Sequence, residues 1–373
     1  MGKGIASDNG QLSSRQFMIL VILCTIGDSI LIIPTLIAAA SKQNAWLTML
    51  FSLVLGLGVG VMYGLLAKRM KGLSLIAFVQ DILGKAAGSV VCILFIFYFI
   101  YLHITLTSEM SQFMTTQLMP ETPNNAIFIL FIAVVIIAYR LGVEAFARMS
   151  ELLFPIFMLL FVFMVVFLLP QAEIANLQPI LADGLKPVMS GLLASVTIPF
   201  SELIVILMLV PHYKGIARTM KPLLAGIGIG GLILFVTVLL CVLVLGPSLM
   251  ESKYYPTFIL AQKITVGNFL ERMEAVLTFM WVITVYYKTL LIFYAVTKSI
   301  EQLLGLKESN MLTVPLAMLL LVGSVISTPN IVVYNEIIKS VWSLFDATIC
   351  LLLPALLLVW SYFRRISEKK AKA

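Results

Sequence analysis

Thr25-Ile26-Gly27-Asp28-Ser29-Ile30-Leu31-Ile32-Ile33-Pro34 sits in the middle of the first long apolar run of the chain. It does not read as uninterrupted helix. Gly27 permits an unwound turn, Asp28 places a carboxylate deep in the run, and Pro34 removes a backbone donor farther on. The run containing Thr197-Ile198-Pro199-Phe200-Ser201-Glu202 carries a matching interruption, a proline followed closely by an acid. The first of these runs begins near residue 16 and the other near 188. Irregular backbone survives in hydrocarbon only where it lines a polar cavity or is buried in protein. Matched breaks in two halves of one chain point to a transporter-type binding site near the bilayer midplane.

The solvent follows from composition. The 373 residues are 61% apolar and 12% charged, with a mean hydropathy of +1.07. A soluble domain carries about 25% charged residues, so most of this surface is expected to face lipid. A span needs about 20 mostly apolar residues. Ten segments qualify, near 16–40, 44–67, 88–117, 126–140, 150–170, 188–210, 223–245, 270–298, 311–327 and 335–362. The fourth is short and reads as continuing through Gly142. Backbone groups in lipid must be satisfied internally, which makes these segments helices. No polar stretch is long enough to form a second domain, so residues 1–373 read as a single membrane domain. Met1 to Gln16 lacks the features of a signal peptide, and the first run is expected to stay as a span.

The formal net charge of +7 comes from short loops between apolar runs, the pattern of a topology signal and not of a nucleic-acid partner. With the N-terminus in the cytoplasm, 18 of the 25 basic residues fall inside and six outside, and Lys288 is left within a span. Both termini are therefore expected inside. Five helices form an odd set, so a second set of five must lie inverted. The expected fold is all-α membrane, ten transmembrane helices in a five-plus-five inverted repeat, 16–170 and 188–362, with discontinuous first and sixth helices.

Ionisable groups inside spans cost about 2.5–3.5 kcal/mol each on insertion scales and are functional candidates by default. Five stand out: Asp28, Glu109, Glu202, Lys288 and Asp346. Beyond Pro199, a half-helix starting at Ser201 is expected to present free N–H groups and a positive dipole end, which suits a ligand carboxylate. Glu202 could hold a ligand ammonium, cap that half-helix or pair with Lys288. Asp28 reads equally as a polar wall of the site or as a side chain folded back onto loose N–H groups. A buried Lys288 ammonium needs a partner, and Asp28 and Glu202 are the obvious carboxylates. Asp346 has no partner identifiable from sequence.

On the third span Tyr98, Tyr101, Thr105, Glu109 and Gln112 share one helical face. That stripe is either a polar path or a set of interhelical hydrogen bonds, and Glu109, toward the outer end, reads as hydrated. On the eighth, Trp281, Thr284 and Lys288 share a face. Residues 246–268 form either a structured lid or a plain surface loop. The glycines at 56, 58 and 60 and at 226, 228 and 230 read as close helix packing. Cys24, Cys92, Cys241 and Cys350 lie in apolar runs without paired spacing and read as buried hydrophobes. Nothing points to catalytic residues, a cofactor or a metal.

Taken in order, several of these residues resemble the spore germination permease family, the membrane B subunit of endospore germinant receptors in the amino acid–polyamine–organocation superfamily. The residues are Ile26-Gly27 through Pro34, Asn176-Leu177-Gln178-Pro179-Ile180 with Gly184-Leu185, Pro199-Phe200-Ser201-Glu202, Tyr255-Pro256, Phe269-Leu270-Glu271-Arg272, Trp281 and Leu303-Leu304-Gly305-Leu306. The resemblance covers about 12 to 363, and Ser201 stands where family members often carry Gly. It implies an amino-acid-transporter-like fold in the inner membrane of the spore. It also implies a small germinant such as an amino acid, an A subunit and a lipoprotein C subunit as partners, and no cofactor. By analogy the ligand lies between spans one, three, six and eight, where Gly27, Asp28, Ser29, Tyr98, Thr105, Thr197, Pro199, Phe200 and Trp281 match, with Ser201, Glu202 and Thr284 beside them. Lys288 falls near where sodium-coupled relatives hold a cation, so its ammonium is expected to replace that ion. The leading expectation is a ligand sensor; a proton-coupled amino-acid transporter and a channel subunit for ions or water are the competing ones.

Overall fold

The computed structural model describes residues 11–371, apart from 214, 216–218, 265–272, 307–308 and 329, with side chains described to Arg364. The expected motif Phe269-Leu270-Glu271-Arg272 lies outside the described residues. So do Lys3, Lys214, Arg218, Lys307 and Lys372, and the side chains of Arg365, Lys369 and Lys370.

Nine helices among the described residues are long and apolar enough to cross a bilayer. One of them, Ser29–Met70, would run about 63 Å as a straight helix, twice the thickness of the hydrocarbon core. It is divided by the short 3₁₀ turn Lys42–Asn44, where Lys42 takes φ 50°. Its first limb, Ser29–Ser41, completes span one, because Ser14–Ile26 alone is too short to cross. Span two is Ala45–Met70. The remaining spans are Lys85–Phe113 continued by a π turn Met114–Leu118, Asn124–Leu141, Val143–Leu168, Lys186–His212, Met220–Ser252, Met273–Leu304, Thr313–Ser327 and the composite tenth, Ile331–Arg364. Span four stops at Leu141, because Gly142 takes φ 89° and opens span five directly behind it.

A short helix between spans two and three, Leu75–Leu83, was not expected. Its buried Leu75, Ile76, Phe78, Val79 and Ile82 form one face, and Ser74 caps it by accepting from the Ala77 N–H at 3.2 Å. At 9 residues it is too short to cross the bilayer.

Spans six and eight form the centre, with 89% and 83% of their most apolar stretch buried against 22% for span five, which faces outward. Glycines let span seven approach closely. A side chain at Gly226 or Gly230 would meet Val21 or Thr25 of span one, and one at Gly60 would meet Ile227. Gly58 and Gly228 border open space instead.

The two interruptions differ in kind. Span one breaks outright, with Gly27 at φ 33° and ψ −123°. Span six stays coiled. Pro199 has no N–H to give, so the α-helix ends at Val196, passes through a π turn Thr197–Ser201 and continues as a 3₁₀ helix Glu202–His212. The Glu202 N–H bonds to the Thr197 carbonyl. The bare half-helix N-terminus expected at Ser201 is therefore not there.

Both faces of the bundle are closed. On the face that carries the N-terminus, the Leu12 N–H donates to the His212 carbonyl at 2.7 Å, and Ser14 Oγ lies 2.8 Å from Tyr213 Oη. On the opposite face, the chain after the Gly246 kink forms a lid helix, Pro256–Gln262. Thr35 Oγ1 donates to the Lys253 and Tyr254 carbonyls, each at 3.0 Å, and Thr257 Oγ1 donates to the Ile30 carbonyl at 2.6 Å. Within the region expected to be either lid or loop, the described residues thus include a helix, Pro256–Gln262, tied to the upper limb of span one.

Candidate functional site

The break at Gly27 places span one against span eight. A Cβ at Gly27 would run into the Lys288 side chain, so only glycine lets the two approach this closely. The Gly27 carbonyl, freed by the break, accepts from Thr284 Oγ1 at 2.9 Å. Asp28 makes no capping bond to the backbone. Its carboxylate instead meets Lys288 Nζ at 2.5 Å, and the same nitrogen lies 2.5 Å from Glu202 Oε2 on span six. All three side chains are almost fully buried.

This triad ties together the two interrupted spans and the eighth. Removing ions from water costs several kcal/mol each, offset only where geometry and further hydrogen bonds are good. Such bonds are present. The Trp342 Nε1–H of span ten donates to Glu202 Oε1 at 3.0 Å. Tyr63 of span two places its hydroxyl 2.6 Å from the Ser201 carbonyl and 2.5 Å from that of Cys350.

Two further buried acids flank the triad. Tyr98 donates to Asp346 Oδ1 at 2.8 Å, and Tyr334 donates to Glu109 Oε2 at 2.8 Å. Glu109 is fully buried and so is not the hydrated outer group expected from its position. Asp346 has the partner that sequence could not name. Both bonds join span three to span ten, and Gln112 adds one from span three to the Thr328 carbonyl beyond span nine, at 3.2 Å. Tyr101 turns to the side, where it lines a lateral cavity of about 450 Å³ with Phe97, Trp342, Phe345 and Glu336. The polar face of span three therefore stitches helices together.

Other expected site residues divide. Thr105 and Thr197 spend their hydroxyls on carbonyls of their own helices. Phe200 does not face span eight: it packs over Gly56 of span two and Gly231 of span seven. Pro199 acts through the backbone, by ending the α-helix. Ser29 Oγ, Ser201 Oγ and Trp281 Nε1 are buried without a hydrogen-bond partner, so they are groups a ligand could satisfy. No group of three or more metal-ligating side chains occurs among the described residues.

Tyr63, Tyr334 and Trp342 were missed. For the last two a signal was present: Tyr334, Ile338, Trp342 and Asp346 recur every four residues, and all four are buried. The π turn Ile338–Trp342 lies within this stretch and another, Ala347–Leu352, follows it directly, and such turns gather at functional sites.

The family described as spore germination protein matches residues 11–332. Spore germination protein KB of Bacillus subtilis (strain 168) is 26% identical over 369 residues, 98% of either chain. Among solved structures, the chain is similar to Mhp1, a nucleobase-cation-symport-1 family transporter in a closed conformation with bromovinylhydantoin bound. That likeness has a TM-score of 0.71 at 11% identity, over 96% of this chain and 80% of the other. It is also similar to MhsT in complex with L-phenylalanine, with a TM-score of 0.63 at 11% identity over 94% and 98%. At these identities the two structures speak for the fold alone.

Proposed function

The chain belongs to the spore germination protein family, and from that premise we propose that it is the membrane subunit of a germinant receptor. It binds a small germinant, an amino acid, between spans one, three, six and eight. The observation that carries this reading is the triad Asp28–Lys288–Glu202, set where span one loses its helix and span six changes type. A solute held there touches the elements whose relative position the triad sets. Ser29, Ser201 and Trp281 supply unspent polar groups, with Gly27, Asp28 and Thr284 forming the wall beside them.

On this reading the Lys288 ammonium takes the place of the cation that sodium-coupled relatives hold between spans one and eight. Germinant binding shifts the bundle between arrangements only through its differential affinity for them. An A subunit and a lipoprotein C subunit convert that shift into the germination signal. The protein lies in the inner membrane of the spore with both termini cytoplasmic, and residues 16–170 and 188–362 are its inverted repeats.

A second reading, transport of amino acids coupled to protons through Glu202 or Glu109, is favoured by the burial of both acids within the bundle, since buried carboxyl groups serve as proton relays in transporters. Uptake into liposomes separates the two. Saturable binding of a labelled amino acid without accumulation supports the receptor. Sustained accumulation driven by a proton gradient supports the transporter and overturns it.

A further inference from the structure

On the lid side of the triad lies a second group of buried polar atoms that nothing among the described residues satisfies. Glu109 accepts from Tyr334 on one carboxyl oxygen, while the other, Oε1, is buried without a hydrogen-bond partner. The hydroxyl of Tyr255, at the head of the lid helix, and the indole N–H of Trp281 are likewise buried and unbonded. Phe113, one turn beyond Glu109 on the same face of span three, holds these groups together. Its ring centroid lies 5.0 Å from that of Tyr255 and 4.5 Å from that of Trp281. Tyr255, Asp28 and Lys288 are among the groups close enough to Glu109 to interact with its charge. The cation of the region, Lys288, is already held by Asp28 and Glu202.

The cluster thus combines an acid that no cation among the described residues contacts directly, two unused donors and three aromatic rings. An unpaired carboxylate in such surroundings is strongly disfavoured, and a primary ammonium satisfies it by charge and by hydrogen bond. The aromatic faces around it favour a cation as well. We propose that Glu109, oriented by Tyr334, is the ammonium subsite of the germinant site, and that Trp281 and Tyr255 donate to the carboxylate of the same ligand. The germinant class is then an amino acid recognised through its amino group, with the lid closing over it. This assignment rests on the germinant-binding reading above.

The test uses the full-length protein in lipid nanodiscs, screened for binding of each of the twenty proteinogenic L-amino acids. The tightest binder is then compared with its deaminated acid and its decarboxylated amine, in the wild type and in Glu109→Gln. The substitution should weaken the amino acid and the amine by about 30-fold or more, the scale for a buried charge pair losing one partner. The deaminated acid should bind the wild type weakly and be indifferent to the substitution. Tyr334→Phe should weaken the amino acid less, and it serves as the variant if Glu109→Gln does not fold. An amino acid that binds Glu109→Gln as tightly as the wild type, or a deaminated acid that binds the wild type as tightly as its parent, overturns the subsite and leaves the receptor reading standing. If none of the twenty binds the wild type, the amino-acid receptor reading falls first and the subsite with it.

Discussion

Lys288 Nζ stands 2.5 Å from Asp28 Oδ1, so span eight grips span one at the point where span one is not helical. The same nitrogen reaches Glu202, so one side chain joins three spans inside the bundle.

Lys288→Met leaves two buried carboxylates facing each other without a counter-ion. Breaking a buried pair from one side costs about 3–5 kcal/mol, and thermal unfolding in detergent should show a loss of that size. Adding Asp28→Asn and Glu202→Gln should recover most of it. Germinant response should also persist when sodium is replaced by a bulky organic cation, since the ammonium already occupies the cation's place.

Gly27→Ala meets two obstacles: a positive φ and the Lys288 side chain in the path of the new methyl group. Strain of about 1–3 kcal/mol is expected, together with displacement of Lys288 and loss of germinant response. Gly142→Ala is the control. It shares a positive φ but borders open space, so it should lower the melting temperature while leaving response intact.

Trp342→Phe keeps an aromatic ring but removes the N–H that Glu202 accepts, together with part of the buried indole. An unsatisfied buried acceptor costs about 1–3 kcal/mol. The melting temperature should fall accordingly, and a variant that melts with the wild type would count against this bond.

Phe200 and Trp281 should behave oppositely. Phe200→Ala empties the space over Gly56 and Gly231, costing about 3–5 kcal/mol of stability, and should leave ligand preference unchanged. Trp281→Leu should alter affinity or preference, as measured by direct binding.

Thr35→Val and Thr257→Val each remove a tether between the lid and span one. Each bond contributes about 1 kcal/mol. Hydrogen exchange over 253–262 should quicken in either variant, more so in both together, while exchange in span eight stays slow.

The sequence alone determined the solvent, the helical class and the number of crossings. These follow from the length of apolar runs and the placement of basic residues, and both are local quantities. It also located the two interruptions, because Gly27 and Pro199 act on their own backbone. It named Asp28, Glu202 and Lys288 as mutual partners, since few ions are tolerated in hydrocarbon and each must find another. Tertiary structure decided the rest. Whether Pro199 unwinds the chain or only changes its helical type depends on what packs around it, and here the Tyr63 hydroxyl of span two holds the Ser201 carbonyl just beyond it. Whether Phe200 faces the site or the packing glycines depends on how spans two and seven approach it. The bonds from Trp342 to Glu202 and from Tyr334 to Glu109 each cross more than a hundred residues of sequence. No periodicity within one helix reveals which remote side chain will meet it, because that is set by the docking of whole helices.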